Sequence, residues 1–531
     1  MSYDVVIIGS GFGGSVSACR LAQAGRKVLV LERGREWKPE DYPRDPDDAW
    51  IWDEDEPEEH NGWIDLRFFD QMWVAQGAGV GGGSLIYANI SIDAPSDVFD
   101  DGWPTQINAN VLDPYYGRVG GMLGIRQLPD GQLTERTRLM KEAAEAIGEG
   151  HRFRKVDLAV TFDDNWHYGL PNAHSPSHSK SWTNPHGRKQ GTCIHCGNCD
   201  IGCEVQAKNT LDLNYLAAAR NAGAIIQPLS LVRYLSDLGD RWRVHYDRLE
   251  GGCRESAYVD ARQVILAAGS LGSTELLLRC RDQYRSLPRL PASLGRGWSS
   301  NGDFLTPAVY DDRPISPTIG PTISSAIDFL DGDHGYEGGR FFVEDGGFPN
   351  LVGNYVKARL ASAPRFGLEK RFLKILGKGL GKNPFENVMP WFGQAVDGAD
   401  GTFYLGRRWF RPWQRVMRLD WDPKRSEPGV GGLAAMHRKL SEATGGRPLT
   451  PLTWTVLRQL VTPHPLGGCN MAASPAAGVV DHAGRVFAHD GLYVIDGSII
   501  PRPIGLNPSK TIAALAERAT DIMLGKSADS D

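Results

Sequence analysis

Four cysteines, Cys193, Cys196, Cys199 and Cys203, stand at the spacing C-x2-C-x2-C-x3-C. That is the spacing of a bacterial ferredoxin run, whose thiolates hold iron–sulfur clusters, although Glu204 stands where the run has proline. Two-cluster ferredoxins send the fourth cysteine to a second cluster, and this chain has only one such run. Cysteines this close also bind zinc, and thiols packed in a loop can stay inert or pair as disulfides, so three readings are open. Cys19, Cys253, Cys280 and Cys469 are scattered, which is not the layout of a disulfide framework and fits a reducing compartment. A second group of this kind opens the chain. Gly9-Ser10-Gly11-Phe12-Gly13-Gly14 reads G-x-G-x-x-G, with an acid, Glu32, further on. Gly9 permits a tight turn, and Gly11 lets the backbone approach a pyrophosphate. Gly14 lets helix and strand pack closely, and Glu32 can accept hydrogen bonds from ribose hydroxyls.

The elements around this fingerprint are those it needs. Asp4 to Ile8 is an apolar run of strand length, Ser15 to Ala24 is rich in helix formers up to Gly25, and Val28 to Leu31 is a second buried strand ending at Glu32. A further glycine cluster, Gln76 to Ile90, is too long for a hairpin turn. Its Gly79, Gly82, Gly83, Ser84 and Asn89 are candidates for pressing backbone against a flat or phosphorylated ligand. Val264 to Ala268 runs into Gly269, and Leu492 to Ile495 runs into Asp496 and Gly497. Ligands of open α/β sheets lie at the C-terminal ends of strands, so junctions spread along the whole chain predict one long ligand gripped from many places. FAD suits that grip better than NAD. The single fingerprint announces no second dinucleotide site.

At 531 residues the chain exceeds one ordinary domain and predicts a two-domain enzyme. Hydrophobic residues at 41% and charged residues at 23% exclude a disordered tail, a coiled coil or a collagen-like repeat. Lys+Arg at 58 against Asp+Glu at 64 leaves no global basic excess, which disfavours a nucleic-acid partner. No apolar run reaches membrane-spanning length and no leader pattern opens the chain, so it reads as soluble and cytoplasmic. Glu40 to Gly62, acidic and proline-containing, reads as a solvated surface insertion.

Several motifs fall in one order along the chain. They are GVGGGS at Gly79 to Ser84, FDDGWP ending at Pro104, LDPYY at Leu112 to Tyr116, VILAAGSLGS at Val264 to Ser273, PHPLGGC at Pro463 to Cys469, and DGSIIP with LNPSKTIAALAER at the end. In this the chain resembles the glucose-methanol-choline (GMC) flavoprotein oxidoreductases, and within them the non-covalent cholesterol oxidase branch. The resemblance implies an α/β fold in which a discontinuous Rossmann-like FAD-binding domain is roofed by an antiparallel-sheet cap. The FAD domain would comprise 1–90, 205–310 and 455–531, and the substrate-binding cap 91–204 and 311–454. It also implies FAD-dependent oxidation of an alcohol to a ketone or aldehyde by hydride transfer to flavin N5. The substrate would be a small hydrophobic, sterol-like or polycyclic alcohol, and the electron acceptor oxygen or another, unidentified one.

In the same way the resemblance makes His464, within Thr462-Pro463-His464-Pro465, the base that takes the hydroxyl proton. Asn507, before Pro508, becomes the amide that holds the oxygen. The residues alone leave plainer roles open: a histidine between prolines can cap a turn, and Asn507 precedes the helical run Ser509 to Met523 like an N-cap. Ala268, Gly269, Asp496, Gly497, Asn507 and Pro508 complete the candidate cofactor contacts. Tyr87, Ala88 and Asn89 offer no histidine for covalent attachment, so FAD is expected to be non-covalent. Steroid-oxidising relatives carry a cap glutamate that moves a proton during double-bond isomerisation. Here the comparable stretch, Phe341 to Asn354, has only Glu344 and Asp345, both early, and neither can be placed on that position. The expectation is alcohol oxidation without isomerisation. Two alternatives stand beside it: a dehydrogenase passing electrons through a Cys-bound cluster to an acceptor other than oxygen, and a flavin-containing isomerase, lyase or photodecarboxylase. Arg365 to Lys382 combines basic residues with apolar ones at helical spacing. It offers either a peripheral membrane contact or a surface helix of the cap.

Overall fold

The computed structural model describes residues 2–351, 385–449 and 459–526. Its opening strand, Ser2–Ile8, ends in Val5 to Ile8, four apolar residues buried in succession on both faces. That composition belongs to a parallel sheet covered by helices on both sides. The strand pairs parallel with Val28–Leu31 on one side and with Glu255–Leu266 on the other. Ile225–Gln227 extends the sheet past Val28–Leu31 in the same sense. Glu255–Leu266 serves two partners in turn. Its first half closes an antiparallel meander with Trp242–Arg248, which pairs onward with Ser230–Asp237, while Val264 to Leu266 pairs parallel with Leu492–Val494. Distant segments therefore converge with their C-terminal ends side by side, completing a seven-stranded sheet.

Helix Phe12–Gln23 packs against the C-terminal helix Ser509–Met523. The C-terminal helix buries the small residues Ala513, Ala514 and Ala516, which lets neighbouring backbones approach. At this junction Glu517 is fully buried and accepts hydrogen bonds from Arg20 Nε (2.8 Å), Arg20 Nη2 (2.7 Å) and Tyr215 Oη (2.8 Å). A buried carboxylate is tolerable only with such donors.

A second, six-stranded sheet is antiparallel, in the order Arg447–Pro448, Phe304–Val309, Val388–Ala395, Phe341–Asp345, Ser325–Phe329, Phe153–Lys155. Helices Glu135–Ala146 and Pro423–Ala443 pack against it. The strand Phe304–Val309 lies inside the segment 205–310 expected in the nucleotide-binding part, yet it pairs in this second sheet. The chain therefore crosses over before Phe304. Apolar residues of both sheets merge in one continuous core.

Candidate active site

A cavity of ≈ 680 Å³ separates the C-terminal ends of the parallel strands from the second sheet. Gly9, Ser10, Gly11, Phe12 and Gly13 form one wall of it. Gly9 holds a φ of +98°, and a Cβ there would strike the Ala267 carbonyl. At Gly13 a Cβ would strike the Ile495 carbonyl, at Gly14 the Gly9 carbonyl, and at Gly82 the Gly11 backbone. These glycines let three chain segments meet at one point. Gly11 is different. Its Cβ would meet only the Ala267 carbonyl, at 4.0 Å, so this glycine leaves room on the cavity side. The helix it begins has no side-chain cap, leaving N–H groups of its first turn for an anion. This cradle fits the pyrophosphate of FAD.

Glu32 lines the same cavity and is held in place. Its Oε2 accepts from Ser10 N (3.0 Å) and Ser10 Oγ (2.6 Å), and its Oε1 from Gly34 N (3.0 Å). Ser10 Oγ in turn accepts from Gly81 N (3.0 Å), tying in the second glycine cluster. Gly82, Gly83, Ala268, Gly269, Gly497 and Pro508 also line the cavity. Asp496 lines it too, but its carboxylate is taken up within the chain. Gly269 N (2.9 Å), Ser273 Oγ (2.5 Å), Ser498 N (2.8 Å) and Ser498 Oγ (2.5 Å) donate to it. It knots two strand ends together. Gly14, Gly79, Ser84 and Asn89 do not line the cavity. Gly79 abuts the Trp37 ring and Ser84 Oγ accepts from Leu211 N (3.1 Å), so both support the cradle from behind. Asn89 is buried at φ 70°, its amide without a hydrogen-bond partner among the described residues.

His464 follows the short strand Leu460–Thr462 and faces the cavity. Its Nδ1 lies 2.9 Å from Asp303 Oδ1, its backbone N–H donates to Thr462 Oγ1 (2.9 Å), and Thr462 Oγ1 bonds Asp303 Oδ2. A carboxylate on Nδ1 selects the tautomer protonated there and leaves Nε2 as the basic atom. Burial by itself would lower the pKa of His464. The charge and hydrogen bond of Asp303, with Glu344 nearby, outweigh it and hold the imidazole above its ordinary value.

Asn507 is not the cap its position suggested. Pro508 occupies the N-cap position of helix Ser509–Met523 and no side chain caps that helix. Asn507 lies one residue outside. Its Oδ1 is buried without a hydrogen-bond partner among the described residues, at a place that lines the cavity. The loop is set by Asn301, whose Nδ2 donates to Leu506 O (2.9 Å) and whose Oδ1 accepts from Ile504 N (3.1 Å) and Gly505 N (3.0 Å). A buried amide oxygen left unpaired is costly, and a donor on a bound ligand would satisfy it.

Other residues of the site carry little signal in the sequence. Asp303 lies in no motif. Glu344 is fully buried, with Oε2 accepting from Gln394 Nε2 (2.9 Å) and Oε1 unpartnered among the described residues. Burial pushes its pKa up to about 8, against the hydrogen bond from Gln394 and the field of His464. Asp345 instead accepts from Ser324 N and Ser325 N, each at 2.7 Å, and braces the sheet. Glu40 to Gly62 is solvated only in part, with residues 45–49 exposed. Trp52 is buried, Trp50 and Glu54 line the cavity, and Glu54 pairs with Arg67 and with Arg279 (3.1 Å). The tryptophans there are what overrode its acidic composition. Arg365 to Lys382 lies outside the described residues. Cys193, Cys196, Cys199 and Cys203 are free thiols on a loop whose Asp200 and Ile201 reach the cavity.

Comparison with known proteins agrees with this geometry. Residues 7–37 match an NAD(P)-binding Rossmann-like domain, and residues 416–516 match GMC oxidoreductase. The chain is 32% identical to a cholesterol oxidase of Acinetobacter baumannii, over 99% of this chain and 95% of that protein. It is 31% identical to a cholesterol oxidase of Mycobacterium tuberculosis, over 99% and 91%. A long-chain-alcohol oxidase of Arabidopsis thaliana is 25% identical over 97% of this chain and 66% of that protein. The crystal structure of pyridoxine 4-oxidase from Mesorbium loti shares the fold, with a TM-score of 0.63 at 19% identity over 98% of both chains. A dinucleotide cradle opening beneath an antiparallel roof is here the mark of an FAD-dependent oxidoreductase. Within that class, the chain belongs to the GMC oxidoreductase family.

Proposed function

We propose that this oxidoreductase converts a bulky hydrophobic alcohol to the ketone or aldehyde, with FAD held non-covalently. One observation carries the reading: an imidazole with a carboxylate behind it and an amide whose oxygen has no partner among the described residues line one cavity beside the nucleotide cradle. Bound FAD supplies the acceptor for the carbinol hydride. The helix N-terminus at Gly11 would hold its pyrophosphate and Glu32 its ribose hydroxyls. His464 Nε2 takes the hydroxyl proton as the hydride leaves, so an alkoxide never has to stand free. Asp303 then stabilises the imidazolium through Nδ1–H. Asn507 donates from its amide Nδ2 to the substrate oxygen. Ile86, Ile323, Phe392 and Leu351 give the chamber apolar walls, which suits an apolar body bearing one hydroxyl. Relatives named as cholesterol and long-chain-alcohol oxidases support the same class and support oxygen as the acceptor.

An anaerobic panel of sterols, long-chain alcohols and small polar alcohols tests this, followed by admission of air with peroxide detection. Bleaching of the flavin by sterol-like or long-chain alcohols, then peroxide on aeration, is the expected result. Turnover of a substrate without flavin bleaching would replace the proposal with an isomerase, lyase or photodecarboxylase.

A further inference from the structure

Cys193, Cys196, Cys199 and Cys203 play no part in alcohol oxidation, yet the fold gathers them. None is in a disulfide. All four are partly buried on one loop, which turns just before the fourth. Gly202, at φ +97° against the Tyr42 ring, makes that turn.

Sulfur spacing discriminates between metals. A tetrahedral zinc with Zn–S bonds of about 2.3 Å draws its sulfurs to about 3.8 Å from one another. Among the described residues, no three of these sulfurs come within 4.8 Å of each other. A [4Fe–4S] cube binds each thiolate to a different iron at its corners, and its four sulfurs stand further apart.

The backbone is already arranged around the sulfurs. His195 N–H donates to Cys193 Sγ (3.4 Å) and Ala207 N–H to Cys203 Sγ (3.2 Å). His195 and Gln206 adopt left-handed φ values of 55° and 52° beside the ligands, a cost that the surroundings must impose. Independent of the backbone is a buried charge. Lys208 is almost fully buried, and its Nζ donates only to the carbonyls of Leu85 (2.9 Å) and Cys199 (2.8 Å). Among the described residues no carboxylate hydrogen-bonds to it, and Cys199, Asp200, Cys203 and Asp212 all lie within its field. An ammonium withdrawn from water needs a compensating charge.

We infer that Cys193, Cys196, Cys199 and Cys203 hold a [4Fe–4S] cluster, with Lys208 as its buried counter-charge. On binding, four S–H bonds give way to four Fe–S bonds and four protons leave, so the filled site is anionic beside the lysine. The site adjoins the cofactor chamber: Lys208 Nζ lies over the ring of Tyr87, which lines the cavity, 4.7 Å from its centroid. This inference stands apart from the identity of the alcohol.

The test is metal and acid-labile sulfide analysis of FAD-loaded protein prepared without air, with EPR before and after dithionite. About four irons and four sulfides per chain are expected, with a paramagnetic signal on reduction. Zinc in place of iron, or no metal in protein that still carries FAD, would overturn the inference. Cys199→Ser should lose iron and sulfide, whereas the exposed Cys253→Ser should keep both. Iron retained in Cys199→Ser would mark it as adventitious and count against the site. Lys208→Met should move the cluster to a more negative potential, since a cation that favours the reduced form is gone. Failure of either variant to fold leaves the wild-type metal analysis decisive.

Discussion

His464 owes its readiness as a base to Asp303. Its raised pKa means that the neutral, proton-accepting form is reached only as pH climbs through that raised value, so flavin reduction should rise with pH across it. Asp303→Asn removes the charge that raises it. The rising limb should shift to lower pH while the plateau rate drops roughly 10²-fold or more, because the imidazolium loses its partner. A stopped-flow pH profile identical to wild type would show that Asp303 plays no such part. His464→Ala should slow flavin reduction by about 10²- to 10⁴-fold with FAD still bound. Asn507→Ala should slow it as well without loss of thermal stability, since no cap is removed and an orphaned amide is relieved. Glu344 gives a stability test with a definite sign. Its folded pKa of about 8 lies above the ordinary carboxyl value, so the folded state holds its proton more tightly. That advantage is whole below the ordinary value and is lost as pH rises to about 8. Glu344→Gln cannot ionise, so it should melt a few degrees above wild type at alkaline pH and match it in acid. Equal melting temperatures across the whole range would count against a buried, neutral carboxyl.

At the scale of elements, the glycines of the first turn divide into two kinds. Gly13 faces the Ile495 carbonyl inside the protein, whereas Gly11 faces the chamber. Gly13→Ala should therefore destabilise the protein even without cofactor, by roughly 1 to 3 kcal/mol, as overpacking does. Gly11→Ala should leave the apoprotein as stable as wild type and weaken FAD binding instead, because the added methyl occupies space meant for the pyrophosphate. Melting curves with and without added FAD separate the two. If Gly11→Ala bound FAD as tightly as wild type, the cradle would lie elsewhere. The same economy explains Asp496, whose carboxylate joins the ends of two strands that the ligand is to touch.

For the molecule as a whole, the first and last helices are locked together by the buried Glu517 with Arg20 and Tyr215. The nucleotide cradle uses the start of one helix and the loop before the other, so this lock sets the width of the site. Arg20→Met should cost on the order of 3 kcal/mol by leaving the carboxylate short of charge. Arg20→Met with Glu517→Leu should recover much of it. A single variant as stable as wild type in thermal unfolding would show that Tyr215 suffices.

The nucleotide-binding half was legible in the chain because its determinants are local. An apolar strand, a glycine turn and an acid at the end of the next strand act over a few tens of residues, and Gly9 to Glu32 adopt that unit. The order of motifs carried the family. What the chain did not disclose depends on pairs far apart in sequence. Asp303 meets His464 only because the start of strand Phe304–Val309 lies beside the end of strand Leu460–Thr462, and Glu344 reaches the same place across the cap. Asn507 read as a helix cap from its neighbours, yet Pro508 takes the cap position and the Asn507 Oδ1 is left unpartnered among the described residues. The stretch Glu40 to Gly62 looked solvated by composition and is so over residues 45–49, but around Trp52 it joins the chamber wall, where Arg67 and Arg279 receive Glu54. Composition and spacing report what a residue can do. Burial and partners, which only the folded chain supplies, decide what it is left free to do.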